Sequence, residues 1–270
     1  MKITNNKFKN ICSTLLNTAP IKILNFGVSA VTTIILTTII SPVHAVTLFT
    51  ERSNLLANDL LDWSSLDKVF NPLAPPDPNS FLPNSFNATS EAGLNIEVTI
   101  PFQQNVTPPF VFQTLPIPNG IPTNFSNGDF ILFTGLTPGI FPAPGNDGPL
   151  TLNFEQPVFG AGTQIAVDDT LEFTAFISAF DINDNLLGEF AADGTSSLEL
   201  DNSAIFLGIN SDQANISKLV YSSSVSNRAL GINQLSLVTE ITSVPESKTD
   251  LSLLCLGILG IYLVRPKFRS

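Results

Sequence analysis

The side chains able to do chemistry in this chain are mostly carboxylates and amides. Asp181-Ile182-Asn183-Asp184-Asn185 sets oxygen-bearing side chains at alternate positions, as calcium loops do. The run lacks the glycine and the late glutamate of an EF-hand, so that motif is excluded. Two readings compete. In one, Asp181, Asn183 and Asn185 hold calcium, with Asp168, Asp169, Asp193 and Asp201 on hand in neighbouring loops. In the other, favoured here, the same residues make a hairpin turn, which Asn and Asp suit equally well. Glu155 and Glu189 form a conceivable glycosidase pair. A chain with so many acids contains such pairs by chance, so the expectation is that it is not an enzyme.

Other chemistries are removed by composition. Both cysteines, Cys12 and Cys255, lie in apolar end segments, and the one histidine, His44, precedes a cleavage-like site. The stretch between has no disulfide, no thiol nucleophile and no imidazole, which excludes triad catalysis and essentially every zinc or copper site. No resident cofactor is expected beyond the calcium alternative. Between residues 46 and 243 there are 21 acids against four bases (Arg52, Lys68, Lys218 and Arg228), a net charge near −17. Such a surface repels phosphate backbones, so nucleic acid is not an expected partner.

The ends read as processing segments. Lys2, Lys7, Lys9 and Lys22 precede the apolar run Phe26–Ile40, then Pro42 and the small-residue site Val43-His44-Ala45. That order predicts a signal peptide over 1–45, cut by signal peptidase after Ala45. At the other end Val244-Pro245-Glu246 precedes a polar spacer, an apolar segment over 251–264 and the basic end Arg265-Pro266-Lys267-Phe268-Arg269. Fourteen residues of helix span about 21 Å, short of a hydrocarbon core of about 30 Å. The segment suits transient residence in the inner membrane better than a permanent anchor.

This tail resembles a PEP-CTERM sorting signal, with Ser247 standing where that class has a second proline. The resemblance implies a sorting helix over the apolar segment and recognition of Val244, Pro245 and Glu246 by an exosortase. It also implies export to the surface or extracellular matrix of a bacterium with a Gram-negative envelope that makes exopolysaccharide.

The length of the body, 46–243, favours one domain of 198 residues over two. A helix is predicted over Glu51–Leu61, capped by Thr50, with Leu55, Leu56 and Leu60 on one face. Five prolines over Asn71–Asn84 and ten over Pro101–Pro149 leave room only for short strands such as Phe110–Phe112 and Phe130–Phe133. From Leu150 onward strand-like segments recur: Leu150–Glu155, Thr163–Asp168, Leu171–Phe180, Leu186–Ala192, Ser203–Ile209, Ile216–Ser222 and Leu230–Thr239. Their spacing predicts an all-β, antiparallel sandwich or jelly roll. Leu171–Phe180 is apolar on both faces and should lie inside a sheet, covered from both sides, with Leu186–Ala192 as its hairpin partner. Leu150–Val158, Ile177–Phe190, Phe206–Ile209, Ile216–Val220 and Gly231–Leu235 resemble the jelly-roll ectodomain of PEP-CTERM proteins, itself similar to galactose-binding-like and carbohydrate-binding modules. That resemblance implies an envelope or exopolysaccharide-associated structural protein. The alternative is a glycan-binding module with Trp63, Tyr221 and Phe125 lining a groove, although for Trp63 core packing is the stronger expectation.

Overall fold

The computed structural model describes residues 45–71, 74, 77–139, 143–168 and 172–240. Val43, the sorting motif Val244–Glu246 and the expected sorting helix lie outside them. Among the described residues there is no α-helix, and the chain is built from two antiparallel sheets.

The first sheet contains β1 (Val46–Phe49), β2 (Asp59–Leu61), β5 (Phe110–Gln113), β6 (Phe130–Phe133), β8 (Gly160–Val167), β11 (Ile205–Ser211), β13 (Leu230–Ile232) and β14 (Leu235–Val238). Its order is β1-β11-β8-β13-β6-β5, and β14 pairs both β8 and β2. The second sheet runs β10 (Leu186–Thr195), β9 (Glu172–Phe180), β12 (Ile216–Ser223), β7 (Leu150–Val158), β4 (Asn95–Thr99) and β3 (Ser85–Thr89).

The period-2 pattern explains which faces meet. On β9, Phe173, Ala175, Ile177 and Ala179 are buried, and on β7 so are Leu150, Leu152 and Phe154. They pack with Ala161, Ile165, Leu207, Ile209, Leu235 and Leu237 of the first sheet into one core, so the sheets stack as a sandwich. A second apolar cluster, with Phe110, Phe112, Phe125, Ile131 and Phe133, lies on the opposite face of the first sheet. β8 is therefore buried on both faces along its whole length.

Three expectations need correction. The predicted helix over Glu51–Leu61 is a single 3-10 turn, Arg52–Leu55, stopped by Leu56 in the left-handed region (φ 52°) and followed by β2. Leu56 is 80% exposed, so the supposed helical stripe is not a buried face; Asp59–Leu61 instead finds its backbone partners in β14. The segment Leu230–Thr239 is two strands, with the break at Asn233-Gln234. β9 does lie inside its sheet and pairs β10 as an antiparallel hairpin, but only its inner face is buried. Phe176 and Phe180 on its other face are half-buried, and Lys218 Nζ sits 4.4 Å from the Phe180 ring centre. It is β8 that is covered on both sides.

Candidate functional site

The turn between β9 and β10 is organised by Asp181. Its carboxylate accepts hydrogen bonds from the Asn183 and Asn185 backbone N–H groups (2.8 and 2.9 Å) and from Asn185 Nδ2 (2.9 Å). These donors, the Asn185 side chain foremost, lower the Asp181 pKa below the ordinary carboxylate value. Asp184 adopts φ 63° and pairs with Lys218 Nζ at 2.5 Å. A calcium loop must point oxygens at one centre. Here Asn185 turns its amide N–H toward Asp181, so Asp181 and Asn185 are engaged in a hydrogen-bonded turn. Among the described residues no three His, Cys, Asp or Glu side chains gather as a metal site.

The carboxylate pair is kept apart as well. Glu189 on β10 and Glu155 on β7 are separated by β9 and β12, three strand spacings or about 14 Å across the sheet, and are further offset along the strands, Glu189 lying level with Thr151. Neither glycosidase geometry, at roughly 5–5.5 or 6.5–9.5 Å, matches that separation. Glu189 accepts from Ser178 Oγ at 3.0 Å, and Glu155 from Asn95 Nδ2 at 2.7 Å.

The three aromatics expected to line a sugar groove are all in the interior, with Trp63 and Tyr221 at 0% and Phe125 at 1% exposure. Trp63 and Tyr221 lie in the core between the sheets, while Phe125 lies in the outer cluster. Stacking on a sugar needs an open ring face, and none of the three has one. The correction has a plain cause: large apolar rings gain most by leaving water. The Tyr221 hydroxyl has no hydrogen-bond partner among the described residues, and burial raises its pKa.

Trp63 does take part in a polar constellation, centred on the break between β13 and β14. The Asn233 carbonyl accepts from Trp63 Nε1 (2.7 Å) and Thr163 Oγ1 (2.9 Å). Its side-chain oxygen accepts from Arg52 Nη2 (2.7 Å) and the Gln164 N–H (3.1 Å). Its Nδ2 donates to Gln164 Oε1 (2.7 Å) and Asp129 Oδ2 (3.0 Å). Arg52 also donates to the Gln234 carbonyl at 3.1 Å and Ser236 Oγ at 2.5 Å. Its guanidinium lies 5.0 Å from the centre of the Phe206 ring. That ring can lie flat because Gly162 and Gly208 face each other across β8 and β11; a Cβ at Gly162 would meet Phe206 Cζ at 2.6 Å. Desolvation lowers the Arg52 pKa, and Asp129 opposes it. The Asn233 carbonyl, side-chain oxygen and Nδ2 are all bonded within the protein, which makes the constellation a structural joint.

The outer cluster also encloses space. A cavity of about 300 Å³ opens between β5, β6 and β8 and the loops that cross them, with Phe70, Phe110, Phe112, Phe125 and Phe133 in its walls. A larger depression of about 500 Å³ lies where the described chain ends, lined by Asp59, Glu155, Thr239 and Glu240. Asp59 there accepts from Ser90 Oγ at 2.5 Å and the Ala92 N–H at 2.9 Å.

No protein-family model matches this sequence, and no curated protein matches it. Among solved structures, a DUF4465 family protein from Bacteroides caccae aligns over 69% of this chain and 98% of its own length. The identity is 12% and the TM-score 0.27, a likeness too slight to carry fold or function across.

Neither the Asn233 joint nor the phenylalanine-lined cavity is foreseen by the sequence reading. Arg52 stands out there only as one of four bases in the body. The cavity's one signal is the density of phenylalanine between prolines.

Proposed function

We propose that this chain is an exported, non-enzymatic protein of the cell envelope or exopolysaccharide matrix. Its β body is delivered by a cleavable leader and sorted by an exosortase acting on Val244-Pro245-Glu246. The observation that supports this most is where the hydrogen-bonded frame begins and stops. Ala45 is exposed, and β1 starts at the next residue, paired with β11. β14 ends at Val238, and the Thr239 N–H donates to Asn58 Oδ1 at 2.8 Å. A cut after Ala45 and another near Glu246 would therefore leave every described strand, Val46 to Val238, whole.

The acidic, cysteine-free body fits an extracellular setting. Burial of Trp63, Tyr221 and Phe125 withdraws the ring faces that glycan stacking requires, so matrix association rests on the acidic surface. We include a jelly-roll kinship in the proposal. From β7 to β13 the chain passes repeatedly between the sheets: β7 second, β8 first, β9 and β10 second, β11 first, β12 second, β13 first. Such passage is what a jelly roll does.

The test is a double substitution, Pro245→Ala with Glu246→Ala, in a host that has an exosortase. The variant should accumulate full-length at the membrane while the unaltered protein reaches the surface processed. Normal surface delivery of the variant would overturn the proposal.

A further inference from the structure

We propose that the cavity on the outer face of the first sheet is a binding pocket for a small, uncharged, ring-bearing molecule. Its size is the first argument. Well-packed protein interiors leave few voids larger than one water. About 300 Å³ corresponds to roughly ten waters at about 30 Å³ each, too much to be a packing fault. It sits at the lower end of ligand pockets, where a compact ring system fits and a long acyl chain does not. An apolar engineered cavity of about 150 Å³ already takes up benzene, so about twice that volume matches a two-ring compound.

The walls are held in place before any ligand arrives. The loop after β5 and the loop after β10 are tied together over the sheet. Leu200 N–H donates to the Thr123 carbonyl (2.9 Å), Ala204 N–H to the Asn124 carbonyl (3.0 Å), and Asn124 Nδ2 to the Thr195 carbonyl (2.7 Å). The Val167 N–H donates to Ser196 Oγ at 2.8 Å, fixing the second loop to β8. Ile121 and Leu198, 41% and 53% exposed, belong to the same lining and mark its opening to solvent.

Charge decides the ligand class. Among the described residues neither Lys nor Arg lines the cavity, and the body as a whole is strongly acidic. A carboxylate or phosphate entering would lose its hydration without gaining a counter-charge. The phenylalanine rings offer faces and edges to an aromatic or alicyclic guest. The inference is independent of how the tail is processed.

The test uses naphthalene and its anionic relative 2-naphthoate as probes of the mature protein, followed by saturation-transfer NMR. Naphthalene should bind, and 2-naphthoate at least ten-fold more weakly. Leu198→Asp, at the exposed rim, should weaken naphthalene by roughly ten-fold. Ala166→Leu should abolish binding by filling the cavity; should that variant fail to fold, the rim variant carries the comparison. No transfer to naphthalene, equal binding by the folded variants, or 2-naphthoate binding as tightly as naphthalene would each overturn the proposal.

Discussion

Asn233 shows how one residue can hold a fork in a sheet. Its backbone faces Trp63 and Thr163, while its side chain faces Arg52, Gln164 and Asp129, so both sides of the break are satisfied at once. Removing the side chain strands a part-buried guanidinium contact and the Gln164 N–H. Asn233→Ala should therefore cost about 2–4 kcal/mol, read from denaturant midpoints at unchanged slope. A cost within about 0.5 kcal/mol, the range of ordinary surface changes, would show that the joint is ornamental. Tyr221 supplies a pH test, because the only other tyrosine, Tyr262, lies in the tail beyond the sorting motif. Burial raises its pKa above the unfolded value of about 10. The stability it contributes is then fully present below that pH and is lost as pH climbs above it. Phenolate absorbance of the mature protein should appear only together with unfolding; a reversible rise near pH 10 in folded protein would contradict the burial.

At the scale of elements, most strands from Leu150 onward were legible as short apolar-rich runs bounded by turn residues, with the alternation plainest in β7 and β12. Lys218, Val220 and Ser222 on β12 point away from the core, whereas Leu219 and Tyr221 point into it. The stretch over Glu51–Leu61 was misread for a physical reason. Its leucines satisfy a helical spacing, but a helix there would forfeit the β2–β14 pairing, and tertiary pairing wins over a short local propensity. The outer cluster was legible only as its two short strands, Phe110–Phe112 and Phe130–Phe133, and not as a cluster. Phe110, Phe112 and Phe125 come together through loops whose paths prolines do not specify from sequence. β14 has the largest consequence among the elements, being internal to its sheet although it is the last described strand. It pairs β8 on one side and β2 on the other, and Leu235 and Leu237 are fully buried. A protein ending at Gln234 should lose cooperative unfolding, whereas one ending at Glu240 should keep it. Equal thermal transitions for the two would show that β14 is dispensable.

Across the whole molecule, the first sheet is complete only once β14 (Leu235–Val238) has paired β8 and β2. On the export and sorting proposed above, the fold would therefore be finished only a few residues before Val244. In the proposed arrangement, residues 241–250 lie in sequence between the described body and the apolar segment 251–264. Charge supports the same arrangement, with the bases concentrated at the two ends and the acids in the body. The measurement closest to the central claim is the intact mass of the surface form from an exosortase-bearing host. The account predicts a species that begins at Val46 and ends near Glu246. Recovery of a surface form that still carries Leu251–Val264 and the basic end would contradict it.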